Sequence, residues 1–267
     1  MIGSLFLFVD VEIRSQESYT EPNDPITFRF KYKGEMNMNN SSGFMGGLYL
    51  IAEWVMKFSV INLLWIVFNL PVAFIVLNMF FVEQIEELIF FIIPLLIILP
   101  FLFFPATTAM FAVVRDWIIK DDEGHQLFMS YWRYYKENYK RSVANGLVLT
   151  AAWLIMIVDI YYFFGKNTII MIFFIIIAII LFVFSINLFS VTVHYRMTFS
   201  HSVKNAFLTT IGSPILFLTI AISSGIVLYM SLHVVRYLIP FLTMSLIAFL
   251  SFSAFYRNYL KVIEKIK

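Results

Sequence analysis

Six long stretches without a charged side chain constrain this chain more than any other feature. They cover residues 58–82, 88–114, 142–158, 167–195, 205–235 and 237–256. A helix needs about 20 apolar residues to cross a bilayer, so five stretches suffice alone and the third needs only to include Asp159. Charged residues make up 13% of the chain, which is too few to surround a soluble core of this size. We therefore predict an all-α integral membrane protein with six transmembrane helices, surrounded by the lipid bilayer.

The distribution of Lys and Arg predicts how these helices are oriented. The predicted spans lie at about 58–82, 88–114, 143–164, 168–193, 211–231 and 237–256. The connections 115–142 and 194–204 and the carboxyl tail together carry twelve Lys and Arg residues, whereas the opposite side carries only Lys166 and Arg236. Because cations near the spans resist translocation, we predict that both termini and the two long connections are cytoplasmic.

The amino-terminal residues do not share this pattern. The only apolar run there is short, ends at Asp10 and has no basic segment before it, unlike a secretory signal. The codons for residues 33–35 can spell a purine-rich ribosome-binding sequence just before Met36 and Met38. We expect residues 1–37 to be a disordered tail or a wrongly assigned start, and residues 38–267 to form the polytopic helical membrane domain.

The connection between the second and third spans is predicted to contain an amphipathic interfacial helix. Aromatic and basic side chains recur at helical spacing on neighbouring stripes from Phe128 to Arg141. The candidate cytoplasmic interface consists of Tyr131, Trp132, Arg133, Tyr135, Lys136, Tyr139 and Lys140. Such a helix suits the headgroup layer, either as a membrane-anchoring connector or as a docking surface for a cytoplasmic partner.

Polar residues within the predicted spans are candidates for an intramembrane site because they are costly there. The candidates are Asp159, Asn62, Asn69 and Asn187. Asp159 could reach water or pair with Lys166 or Arg236, could be an ion or proton ligand, or could mark a wrongly placed span. The three Asn side chains could hydrogen-bond between helices or line a path for a polar solute.

The second span contains three prolines, which remove backbone donors and bend a helix. Pro105 precedes Thr107 and Thr108, whose hydroxyl groups can satisfy freed carbonyls, and the small residues beside them permit close helix packing. Packing accounts for this pattern, and a broken helix that lines a binding site is the alternative.

Several functions are excluded or disfavoured by missing motifs. The chain has no Cys, its four His residues lack metal-ligand spacing, and it has neither a phosphate-binding glycine loop nor a serine elbow. The net charge of +2 does not indicate nucleic-acid binding. We therefore expect a protein that is not an enzyme and that has no metal, no cofactor and no nucleic-acid partner.

Three segments resemble the YesL family of bacterial membrane proteins. They are GFMGGLYLIAEW at 43–54 with NLLW at 62–65, FPATTAMFAVVRDW at 104–117, and 128–146 with its core WRYYKEN. The resemblance extends over about residues 38–267 and includes Arg115 and Trp117, which we interpret as packing residues of the motif together with Pro105, Thr107 and Thr108. It implies a domain of unknown function in the bacterial cytoplasmic membrane.

The resemblance also implies a biological context, because genes of the family commonly lie beside those for ATP-driven oligosaccharide importers. We therefore expect an integral membrane protein that is accessory to carbohydrate uptake, with the membrane subunits of a sugar importer as partners. The alternative is a stand-alone small-solute channel or secondary transporter. That alternative predicts a polar cavity at the bilayer midplane.

Overall fold

The computed structural model describes residues 44–120, 126–235 and 238–266. The chain divides into two units, Met1–Leu50 and Ile51–Lys267. Within the first unit, the described residues form only the beginning of a helix. The predicted tail at 1–37 lies outside the described residues, and so does the acidic segment at 121–125.

Helices account for nearly all of the described residues. They are α1 (Phe44–Phe68), α2 (Leu70–Met79), α3 (Ile85–Ile119), α4 (Leu127–Phe163), α5 (Thr168–His194), α6 (Phe199–Gly212), α7 (Pro214–Tyr229) and α8 (Met244–Ile266), with π-helical turns at Met230–Val234 and Ile239–Thr243. Six helical segments are long and apolar enough to cross a membrane. The prediction of an all-α membrane protein with six such helices is confirmed.

The first predicted span, 58–82, contains a break in the structure. Helix α1 ends at Phe68, and α2 begins at Leu70, after the single intervening residue Asn69, with a proline in its first turn. Pro71 has no backbone N–H, and its ring would clash with the carbonyl group four residues earlier, so a continuous helix is disfavoured there. The Asn69 side chain donates a hydrogen bond of 2.8 Å to the Trp65 carbonyl at this break.

Helix α4 joins the predicted interfacial segment and the third span without interruption. Tyr131 bonds to the Ala106 carbonyl, and Gly146 lies against Phe104. These α4 residues are fifteen positions apart, about 22 Å along the helix, whereas their α3 partners are only two positions apart. Tyr134, which lies between them on α4, bonds to Asp116, ten positions beyond Ala106, so the first half of α4 packs against about 15 Å of α3.

The fifth span begins after a short separate helix. Helix α6 buries Ser202, Ala206 and Thr210, which are spaced four residues apart on one face. It ends at Gly212, and Pro214 occupies the first turn of α7, where its missing N–H costs nothing. The interruption at Gly212 and Pro214 therefore lies between two helices, one amphipathic and one long and apolar enough to span a membrane.

The packed interior of the second unit is formed where the carboxyl-terminal halves of α3 and α5 meet. Every residue at 104–114 and at 185–193 is buried, on all sides of both helices. The amino-terminal halves of these helices expose large apolar side chains, such as Phe90 and Ile169. Exposed apolar surface is stable against lipid, so these halves suit the bilayer and the opposite halves form the protein core.

Candidate functional site

The Asn62 side chain links α1 to the start of the last helix through four hydrogen bonds, two that it donates and two that it accepts. Its Nδ2 donates to the carbonyl groups of Ile239 and Pro240, at 3.1 and 2.7 Å. Its Oδ1 accepts from the backbone N–H groups of Met244 and Ser245, both at 3.1 Å. The side chain is fully buried. The carboxamide thus takes the place of a backbone peptide group as the hydrogen-bond partner where the π-helical turn joins α8.

The other two candidate carboxamides bond to different elements. Asn187 on α5 donates to the Thr210 hydroxyl on α6 at 2.9 Å, whereas Asn69 donates within its own helix pair to Trp65. Both side chains are buried, and the Oδ1 atom of each has no hydrogen-bond partner among the described residues. No hydrogen bond joins any of these three Asn residues to another within the described chain.

Asp159 lies apart from those carboxamides, near the carboxyl end of α4. Its side chain is half-buried, and among the described residues it forms no ion pair. Lys166, one of its two predicted partners, instead places its ammonium group 3.7 Å from the centre of the Tyr162 ring. Arg236, the other predicted partner, lies outside the described residues.

The motif residues of α3 hold neighbouring helices. The Thr107 and Thr108 hydroxyls donate to the carbonyls of Phe103 and Phe104, at 2.7 and 2.9 Å. Because Pro105 has no N–H group, the carbonyl of residue 101 lacks its usual helical donor. The two Thr hydroxyls do not donate to that carbonyl, since their bonds go to Phe103 and Phe104. Thr107 also accepts from Trp65 Nε1 on α1 at 3.0 Å.

Trp117 closes an aromatic cluster at the same end of α3. Its ring lies edge-on to Trp54 and Phe58, with centroids 6.1 and 5.8 Å apart, and Phe249 from α8 packs against both. Edge-to-face pairs at these distances are favourable beyond their buried area. Thr107 and Trp117 therefore make specific contacts with other helices, as the packing interpretation of the motif expects, whereas the Thr108 hydroxyl bonds within α3.

Tyr131 does not belong to an accessible cytoplasmic interface. Its side chain is completely buried, its hydroxyl donates to the Ala106 carbonyl at 2.7 Å, and Phe68 packs on its ring. The spacing of four residues between Tyr131 and Tyr135 led us to group Tyr131 with the other aromatic residues of the predicted stripe. In the structure, the buried face of α4 begins at Tyr131 and continues through Tyr134 and Asn138.

The remaining predicted interface residues form an outward surface, which we term the α4 strip. Trp132, Arg133, Lys136 and Lys140 are exposed, and Tyr135 and Tyr139 lie half-buried at its edge. The Trp132 and Tyr135 rings are nearly parallel, 6.0 Å apart, and the Lys136 ammonium lies 4.4 Å from the Trp132 ring centre. Stacking and the cation–π contact fix these side chains in one arrangement.

Asp116 organises the polar contacts between α3 and α4. Its carboxylate accepts from Arg115 Nε and Nη2 at 3.0 and 2.7 Å, from the Tyr134 hydroxyl, and from Lys120 Nζ at 3.3 Å. Arg115 also donates to the Val193 carbonyl on α5. The carboxylate therefore joins α3 to α4, and Arg115 extends the contacts to α5. Its single negative charge lies beside two cations.

A cavity of about 260 Å³ opens beside this carboxylate, and we term it the basic cavity. The residues that line it are Arg115, Lys120, Arg133, Tyr134, Glu137, Asn138, Arg141, Thr192, Val193, Tyr195 and Arg196. Arg141 is held by the Tyr195 carbonyl at 3.3 Å and by Asn138 Oδ1 at 3.2 Å. None of the four intramembrane candidates lines this cavity.

Sequence reasoning used these cations for orientation and did not predict that they meet. Arg115 and Arg196 follow two different hydrophobic stretches, and Arg141 precedes a third. They come together because the carboxyl ends of α3 and α5 pack against the first half of α4. The sequence contains one signal for this site, the Arg-Asp pair at 115–116 in the second motif, because a buried carboxylate needs cationic neighbours.

Burial raises the pKa of the Tyr195 hydroxyl, beside the basic cavity, far above its ordinary value.

Comparison with known proteins confirms the resemblance to the YesL family. Residues 58–160 match the family described as "Protein of unknown function, DUF624". The chain is 27% identical to the uncharacterized protein YteU of Bacillus subtilis over 223 residues, which cover 82% of this chain and 88% of that protein. It is 26% identical to the uncharacterized protein YesL of the same organism over 213 residues, which cover 78% and 90%. No solved structure gives a significant match.

Proposed function

We propose, since this chain is homologous to proteins of the YesL family, that it is a non-enzymatic accessory protein for carbohydrate uptake in the bacterial cytoplasmic membrane. It would contact the membrane subunits of an ATP-driven oligosaccharide importer. The observation that carries the proposal is the α4 strip, which displays aromatic and cationic groups on the outer face of a helix anchored by its inner face.

The anchoring makes the strip a preorganised surface. Tyr131 and Tyr134 on the inner face bond to Ala106 and Asp116 of α3, so the first half of α4 is tied to the core at two points. On the outer face, Trp132 and Lys136 are already in mutual contact before any partner binds. A rigid surface loses less conformational entropy on association, and aromatic side chains are enriched in protein interfaces.

The charge of the strip indicates the kind of surface that would bind it. Arg133, Lys136 and Lys140 are exposed along it, and Glu137 is its one acidic member at 132–140. A positive strip attracts an acidic surface and orients the encounter. The importer as the specific partner follows from the genomic context that the family resemblance implies. The predicted cytoplasmic orientation would place the strip where an importer's cytoplasmic loops are accessible.

The proposal is tested by recovering the chain from membranes of cells grown on plant-cell-wall sugars. We expect the tagged protein to co-purify with identified membrane subunits of an oligosaccharide importer. A double variant, Trp132→Ala with Lys136→Gln, should lose most of this recovery. Lys261→Gln is the matched control, because Lys261 is an exposed cation on α8 and is not a member of the strip. Failure to recover an importer subunit, together with normal sugar uptake after deletion of the gene, would refute the proposal.

A stand-alone channel or secondary transporter is the second candidate. The buried Oδ1 atoms of Asn69 and Asn187 favour it, since neither has a hydrogen-bond partner among the described residues and either could accept from a polar solute. Against it, Asn62 uses its carboxamide entirely in bonds to the π-helical turn and α8. Purified protein in liposomes should take up labelled sugars if this alternative holds, and Asn187→Ala should abolish that uptake.

A further inference from the structure

The basic cavity carries more positive charge than the described protein groups around it neutralise. Five cations line it, and the nearby carboxylates among the described residues are Glu137 and Asp116. Asp116 is already shared by Arg115 and Lys120. Among the described residues, Arg141 and Arg196 form no ion pair with a carboxylate. Cations that converge on a cavity without carboxylate partners favour an anion.

The guanidinium groups are positioned before any ligand arrives. Arg115 is held on one side by Asp116 and on the other by the Val193 carbonyl. Arg141 is held by the Tyr195 carbonyl and by Asn138. A guanidinium has five N–H donors, and these contacts use three for Arg115 and two for Arg141. The remaining N–H donors of these two guanidinium groups lie at the cavity, and the contacts above already fix the orientation of both groups.

We propose that the basic cavity binds the phosphate group of an anionic ligand. A tetrahedral phosphate offers several acceptor oxygens in different directions, so it can accept at once from guanidinium groups on α3, on α4 and just beyond the end of α5. The chemical class therefore includes the phosphodiester headgroup of an anionic lipid and a soluble phosphate. This inference is independent of the importer proposal.

Two binding experiments distinguish these sources. In the lipid arm, the protein is extracted from vesicles of phosphatidylglycerol and phosphatidylcholine, and retained lipid is measured by native mass spectrometry. In the soluble arm, the thermal unfolding temperature is measured in an uncharged detergent with inorganic phosphate, against chloride at equal ionic strength. Selective retention of phosphatidylglycerol identifies a headgroup site, whereas stabilisation by phosphate alone identifies a soluble ligand.

Three charge-removing variants test whether the cavity is responsible. We expect Arg141→Gln and Arg196→Gln each to weaken binding about tenfold, because each removes charge-assisted hydrogen bonds to the phosphate. Lys140→Gln is the matched control, since Lys140 precedes Arg141 and does not line the cavity. Arg196 is exposed and has no side-chain hydrogen bond among the described residues, so Arg196→Gln gives a result even if Arg141→Gln does not fold.

The overturning results are equally specific. No phosphatidylglycerol selectivity and no phosphate stabilisation of the unsubstituted protein would refute the site. So would equal loss of binding in Lys140→Gln and Arg196→Gln, because the anion would then respond to the general positive charge of this end of the molecule.

Discussion

Asn62 shows how one polar side chain can satisfy a helix irregularity inside a membrane protein. The transition from the π-helical turn to α8 leaves two carbonyl groups and two N–H groups near one another, and one carboxamide bonds to all four. Neither water nor lipid would serve these groups in a buried position. A carboxamide is suited to this place because it combines a double donor with a double acceptor.

Asn62→Leu should therefore destabilise the protein by about 2 kcal/mol, from the loss of four hydrogen bonds at membrane-typical strength. The measurement is the free energy of unfolding in a denaturing detergent titration. Asn78→Leu is the control, because Asn78 is also a helical Asn, but its amide bonds only to the Phe74 carbonyl at an exposed position. Equal loss in both variants would contradict a special role for Asn62.

Asp159→Asn is expected to change stability by less than about 0.5 kcal/mol, since the half-buried carboxylate forms no ion pair among the described residues. Its membrane abundance and any sugar-uptake phenotype should remain at the unsubstituted level. A loss of uptake at normal abundance would instead support an ion or proton ligand at this position.

Helix α4 is the element that the sequence describes only in part. The alternation of aromatic and basic residues predicts an amphipathic helix between the second and third spans, but it does not separate Tyr131 from the outward aromatics. The separation depends on where Ala106 and Asp116 of α3 lie, which is tertiary information. Likewise, no local signal reveals that the segment is continuous with the third span and packs against α3.

The close contact of α4 with Phe104 of α3 requires a glycine at position 146. A Cβ atom added at Gly146 would lie 2.8 Å from Phe104 Cδ2 and 3.0 Å from Phe104 Cβ. Because Phe104 is itself buried, it cannot move aside without disturbing its neighbours. Close approach at a small residue is a usual way for membrane helices to gain packing contacts.

Gly146→Ala should cost about 1–3 kcal/mol of unfolding free energy through overpacking. Gly225→Ala should have the opposite effect on the free energy of unfolding, because Gly225 is also in a helix but has open space around it. There the added methyl group should stabilise the helix by about 0.5–1 kcal/mol. Thermal unfolding in detergent measures both, and a stabilised Gly146→Ala protein would show that the helices do not approach closely.

At the scale of the whole molecule, hydropathy predicts the number of membrane-crossing helices, and the positions of Lys and Arg predict their direction. The same positions could not predict the basic cavity, since residues such as Arg115 and Arg196 become neighbours only through helix packing. The intramembrane Asn residues were equally ambiguous in the sequence. Their separate partners, for example Thr210 for Asn187, emerge from the three-dimensional arrangement.

The orientation can be measured directly because the chain has no native Cys. We expect Lys166→Cys to react with a membrane-impermeant maleimide in intact cells, since Lys166 lies on the predicted outer side. Lys261→Cys should react only after the membrane is permeabilised. Both positions are exposed, so accessibility to the reagent depends on the side of the membrane. The reverse labelling pattern would contradict the predicted cytoplasmic location of the termini.

The Asn62 bridge also has a consequence for biosynthesis. Its four partners lie 177 to 183 positions later in the chain. While the ribosome is still making the intervening helices, the amide of the first helix has none of the bonds that it holds in the finished protein. The amide can therefore form these bonds only after the last helix has been made. A chain released before that point would keep an unsatisfied amide, and we expect proteases that degrade incompletely folded membrane proteins to act on it.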